Sequence, residues 1–235
     1  MDIKTWMQDY LDKLKSLFGS RLLFVGLQGS YGRGEATENS DIDMVVILNY
    51  VNPEDLKKYS SMLDTLPNRK KVCGFISGRK ELMNWERSDL FQFLHDTTPI
   101  FGNIDSLQPL IGKEDVRRAV RIGACNIYHM CGHNMVHERD GKLLKALYKS
   151  ATFTIQAVSY LQTETYRKKK TELLPVLQHP EREILESAIA LKQQTDLAQA
   201  EFDRLSEELF RWASNLIAEY QPDDTRTHKG GRCDA

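Results

Sequence analysis

The shortages in this chain already exclude several classes of protein. Only four cysteines occur in 235 residues, at Cys73, Cys125, Cys131 and Cys233. None forms a C-x-x-C pair, which excludes a disulfide-stapled secreted scaffold and argues for a reducing compartment. No apolar run approaches the ~18 residues of a membrane span. The N-terminal stretch carries Asp2, Asp9 and Asp12, charges that the apolar core of a signal peptide does not tolerate. A soluble cytoplasmic protein with no membrane partner is expected. Excess charge of one sign is missing too: 32 Lys+Arg stand against 33 Asp+Glu, a net of −1. Long nucleic acid is therefore not the default partner. Internal repeats and low-complexity tracts are also absent.

What remains is 41% hydrophobic and patterned. Trp6, Met7, Tyr10, Leu11, Leu14, Leu17 and Phe18 recur at three- and four-residue steps, the mark of an amphipathic helix, and Gly19 is its natural stop. Leu22 to Val25, Met44 to Leu48 and Val72 to Ile76 read as buried strands. Pro53 opens a helix that runs to about Leu66. Residues 79–96 look helical in two pieces, and Thr98 to Phe101 reads as an edge strand because Pro99 cannot donate to a ladder.

After Gly112 only Gly123, Gly132, Gly141, Pro175 and Pro180 interrupt a helical pattern that reaches Tyr220. Helices are expected near 113–137, 141–163, 171–178, 181–194 and 198–219. The fold class is therefore α+β: a mixed-sheet domain over about 1–108 with flanking helices, then an all-α bundle over 109–220 and a flexible tail, 221–235. The bundle is assigned to acceptor binding or dimerisation, with the active site expected between the two parts.

The informative segment runs from Gly29 to Asp43, between the first two strands. Gly29 and Ser30 end a strand and open a turn, where backbone N–H groups and a hydroxyl make an anion cradle. Arg33 adds a bidentate phosphate donor. Asp41 and Asp43, two residues apart on an extended chain, project to the same side. Two such carboxylates repel each other unless a cation lies between them. Beside a phosphate cradle, that cation is Mg²⁺.

Gly-Ser, ten residues, then Asp-x-Asp resembles the signature of the polymerase-β-like nucleotidyltransferases. The order of elements over residues ~20–105 is similar as well. The helical second half looks most like the small bacterial branch that includes aminoglycoside (kanamycin-type) nucleotidyltransferases and the minimal nucleotidyltransferases. The resemblance implies ATP or another NTP as donor, Mg²⁺ as cofactor, and transfer of a nucleoside monophosphate to an acceptor hydroxyl with release of pyrophosphate. The acceptor would be a small molecule such as an aminoglycoside-like antibiotic. The alternatives are a toxin-type transferase acting on tRNA or protein, and a catalytically weak regulatory nucleotide-binding module. By position Gly29 and Ser30 match the phosphate-binding pair, and Asp41 and Asp43 the catalytic metal ligands; Arg33 and Ser40 are further candidates for nucleotide or phosphate binding. Relatives of this shape are often homodimers.

One element departs from the pattern. The superfamily often carries a third carboxylate on a later strand, and Val72 to Ser77 has no acid. Glu81, Asp89, Glu138 and Asp140 are the candidate general bases. Three further features are read as structural. Cys73 and the tryptophans Trp6, Trp85 and Trp212 are taken as core. Cys125, His129, His133 and His137, four residues apart in turn, are taken as a packed polar helix face, since the row drifts about 40° per step and cannot meet one ion. Arg167-Lys168-Lys169-Lys170 is taken as a solvated interhelical loop.

Overall fold

The computed structural model describes residues 2–194 and 196–222. Helix α1 (Ile3–Phe18) is capped by the Asp2 side chain on the Lys4 amide and ends at Gly19. Then follow strand β1 (Leu22–Gln28), the short helix α2 (Gly29–Arg33) and strand β2 (Ile42–Leu48). Helix α3 (Pro53–Asp64) begins with a reciprocal capping box between Asn52 and Asp55. Strand β3 (Val72–Gly78), helices α4 (Arg79–Met83) and α5 (Arg87–Asp96), and strand β4 (Thr98–Phe101) complete the first part.

The four strands are ordered β3-β2-β1-β4. β1 is antiparallel to both β2 and β4, and β2 is parallel to β3. β4 thus takes an edge, where Pro99 leaves no interior ladder bond unmade. Alternation along the strands decides the two faces. Val25, Leu27, Met44, Val46 and Leu48 pack against Trp6, Tyr10, Leu14 and Phe18 of α1. Phe24, Val45 and Ile47 point the other way, onto Leu82, Leu90, Ile104 and Leu107. Each such aliphatic or aromatic side chain contributes roughly 1.5–3 kcal/mol on burial. Asp43 has the parity of Val45 and Ile47, so it emerges on the second face.

The helices after Gly112 are α6 (Lys113–His133), continued by a π-helical turn (Asn134–Glu138), α7 (Gly141–Thr163), α8 (Lys170–Leu173), α9 (Glu181–Leu191) and α10 (Gln199–Glu219). By contacts the chain divides into two compact units. One holds the chain up to Val116 together with Gln156–Leu177, and the other holds Arg117–Ile155 and the chain from Gln178 onward. The end of α7 and the stretch after it therefore belong with the sheet.

In the second unit Ala124, Ile127, Leu144, Tyr148, Leu205, Leu209 and Trp212 are buried. Two of its large polar aromatic side chains are paired locally: Tyr148 donates to the Leu205 carbonyl at 2.9 Å and Trp212 Nε1 to Glu181 at 3.1 Å. Among the described residues no helix is long and apolar enough to cross a membrane. The expected tail, from Asp223 on, lies outside the described residues.

Candidate active site

β1 and β2 are antiparallel neighbours, yet 13 residues (29–41) join them where a hairpin needs two to five. The excess chain builds the site. Gly29 adopts φ +63°, a left-handed conformation that favours glycine. A Cβ there would lie 1.9 Å from Asp43 Oδ2. The backbone at the Gly29-Ser30 turn and the Asp43 carboxylate are thus pressed together, and only a hydrogen on Gly29 permits it. Asp41, at the mouth of β2, is exposed, while Asp43 is half-buried and pairs in register with Gln28 of β1 and Cys73 of β3.

The turn is supported from below. Asp96, at the end of α5, is buried and receives both the Arg33 guanidinium, at 3.2 and 3.3 Å, and the Gly29 amide. Burial raises the Asp96 pKa, and Arg33, Lys168 and the Gly29 amide oppose that rise. Arg33 Nε also meets Glu35 at 3.2 Å. The expected phosphate donor is therefore engaged by two carboxylates. Ser40 serves the approach to β2: its Oγ accepts the Thr37 amide at 2.9 Å.

The basic run corrects its sequence reading. It is not a uniformly solvated loop, because Lys168 is half-buried beside the turn and donates to Thr98 Oγ1 at 2.8 Å. Gln156 holds the carbonyls of Arg167 and Lys168 at 3.1 Å, and Tyr166 stacks on His95 with centroids 4.7 Å apart. Burial lowers the Lys168 pKa, with Asp96 opposing and Arg33 adding to the effect. Only Lys169 behaves as expected, exposed and paired with Glu172.

A cavity of about 300 Å³ opens on the sheet face that carries Asp43. Gln28 and Phe75 line it from the strands, Trp85 from the turn between α4 and α5, and Asp89, Phe93 and Asp96 from α5. Trp85 is 42% exposed, so it is not the core residue its type suggested, and Phe75 meets it edge-on at 5.3 Å. Cys73 is a further correction. It is exposed, and its thiol donates to Asp43 Oδ1 at 3.0 Å.

The candidate bases scatter. Glu81 lies against Gly78 at the far end of β3, five strand steps or about 16 Å from Asp43. Asp89 lines the cavity. Glu138 pairs with His133 at 3.4 Å, and Asp140 caps α7 through the Lys142 amide at 2.7 Å. His133 and His137 touch, with centroids 4.9 Å apart. Among the described residues no three or more His, Cys, Asp or Glu side chains group as a metal site. Asp41 and Asp43 are the two carboxylates that could hold a cation, and a Mg²⁺ held so would take its other ligands from phosphates and water.

Residues 7–86, which contain the Gly29-Ser30 turn, both carboxylates and Cys73, match the nucleotidyltransferase domain family. The chain carries a nucleotidyltransferase domain. A segment of 58 residues is 34% identical to a candidate protein adenylyltransferase of Methanocaldococcus jannaschii, covering 25% of this chain and 40% of that one. The match thus spans about two fifths of that relative's length. Among solved structures, the spectinomycin adenyltransferase AAD(9) from Enterococcus faecialis, crystallised with ATP and spectinomycin, superposes with a TM-score of 0.58. It covers 92% of this chain and 99% of its own at 14% identity, so the likeness is one of fold and extends beyond the nucleotidyltransferase domain into the helical region.

Sequence reasoning missed Gln28, Cys73, Asp96 and Lys168. For Cys73 a signal existed: with β3 parallel to β2, its parity matches Asp43. Asp96 and Lys168 carried none, since each reaches the turn only through tertiary packing.

Proposed function

We propose that the chain is a Mg²⁺-dependent nucleotidyltransferase that moves the nucleoside monophosphate of ATP to a hydroxyl of a small, antibiotic-like acceptor. The carrying observation is the Asp43 carboxylate pressed onto the Gly29-Ser30 turn, which brings a cation ligand and a phosphate cradle together. Both relatives are named as adenylyl or adenyl transferases, which supports ATP as donor.

The turn and Ser30 would hold phosphate oxygens, with Lys168 as the nearby cation and Arg33 kept by Asp96 as a structural brace. Asp41 and Asp43 would hold the Mg²⁺, whose chemistry is to neutralise phosphate charge and polarise the α-phosphorus. The acceptor oxygen then bonds to that phosphorus in line as the bond to the bridging oxygen breaks. Pyrophosphate leaves, and the hydroxyl proton passes to a base other than the two metal ligands. Asp89, on the cavity wall, is the candidate for that base within the first unit. The cavity, with Trp85 and Phe75 as apolar walls and Asp89 as an acid, suits a ring-bearing cationic acceptor. The helical region, about 109–220, is assigned to acceptor choice.

The test is calorimetry of ATP binding with and without Mg²⁺, then transfer from α-labelled ATP. Metal-dependent binding that Asp41→Ala and Asp43→Ala both remove supports the reading. Label in the small-molecule fraction supports an antibiotic-like acceptor, whereas label in protein favours the adenylylation that the archaeal relative's name describes. Wild-type protein without metal-dependent ATP binding would leave a regulatory module.

A further inference from the structure

We infer that Cys73 is a positioning residue for Asp43, an inference that rests on the transferase reading. The Asp43 carboxylate is confined at both oxygens: Oδ2 lies where a Cβ on Gly29 would stand, and Oδ1 accepts the Cys73 thiol at 3.0 Å. The contact is built into the sheet, because Asp43 and Cys73 are register partners in the parallel β2–β3 pair. The next residue, Gly74, has φ +133°, and a Cβ there would lie 1.9 Å from the Met44 carbonyl oxygen. β3 is thus drawn onto β2 beside the thiol, at a place that excludes any larger side chain.

This arrangement solves a problem the two carboxylates create. Neighbouring acids repel, and an unrestrained Asp43 would turn away from Asp41. A donor on Oδ1 fixes the rotamer, leaving the remaining lone pairs for a cation. β3 presents Cys73 and Phe75 on the Asp43 face and no acid there. Cys73 therefore supplies a neutral donor at this register position, and β3 adds no carboxylate beside Asp43. Hydrogen bonds to ligating carboxylates are worth about 10–100-fold in metal affinity or activity.

The experiment compares Cys73→Ala with Cys73→Ser. Mg²⁺-dependent ATP binding is read by calorimetry, KM and kcat by pyrophosphate release, and folding by thermal melting. Cys73→Ala is expected to weaken Mg²⁺-dependent binding about tenfold at an unchanged melting temperature, and Cys73→Ser, which keeps a donor, to stay within about twofold. Wild-type binding in Cys73→Ala overturns the proposal, and so does an equal loss in both variants, which would mark a packing role. A urea-denaturation cycle with Asp43→Ala reads the contact whether or not nucleotide binds. If wild type binds no nucleotide, the transferase reading fails. Coupling that persists there marks the pair as structural only, additive effects mark the contact as idle, and either result overturns positioning.

Discussion

Lys168 Nζ donates a 2.8 Å hydrogen bond to Thr98 Oγ1, 70 residues earlier, and that hydroxyl donates at 2.9 Å to the Gly32 carbonyl. A residue beyond the nucleotidyltransferase domain thereby reaches the turn that would cradle phosphate. Lys168→Met should raise the KM for ATP about tenfold, because an ion-assisted hydrogen bond is worth ~1.5–3 kcal/mol. Lys169→Met, an exposed neighbour, should leave it within about twofold. Steady-state kinetics of the two variants checks this, and equal KM values would reduce Lys168 to a tether.

Gly29→Ala forces a Cβ onto the Asp43 carboxylate in a left-handed backbone conformation. The backbone term alone costs about 1–2 kcal/mol. Transfer activity should fall further than that stability loss explains, at least tenfold, because Asp43 must move. Parallel urea titration and pyrophosphate-release assays separate the two effects.

Asp96→Ala strips the main partner from the largely buried Arg33 guanidinium. Breaking a buried pair from one side costs about 3–5 kcal/mol when the remaining charge has no other partner, so with Glu35 still on Arg33 the loss should fall below that range. Adding Arg33→Met should recover part of the loss, since the largely buried guanidinium, left with Glu35 as its carboxylate partner, is then gone. Chemical denaturation of the single and double variants measures the recovery.

His95 stacks on Tyr166 and packs edge-on against Phe91. Burial lowers its pKa below 6.5, and the Lys168 charge adds to this. The folded protein therefore binds this proton less readily than the unfolded chain does. The stabilisation is complete above the unfolded value and fades as pH falls from 6.5 through the lower folded value. His95→Phe keeps an aromatic ring and removes the proton site. Melting temperature against pH should fall less steeply on the acid side of 6.5 in His95→Phe than in wild type.

The sequence by itself determined the alternation and the breaks. Helical periodicity, Gly19, Pro53 and Pro99 placed α1, α3 and the edge strand β4 because they act through local backbone geometry. Gly29-Ser30 and Asp41-x-Asp43 were legible for the same reason, since their chemistry lies in adjacent residues. Only the tertiary structure decided what surrounds them. Parallel pairing turned Cys73 from a presumed core thiol into the partner of Asp43. The return of the chain after α7 brought Lys168 to the turn, and the packing of α5 made Asp96 the brace for Arg33. Trp85 likewise came to line a cavity, because no residue type encodes which neighbours will cover it. Contacts within a few residues follow from local rules, whereas contacts across tens of residues exist only once the sheet and helices have chosen their faces.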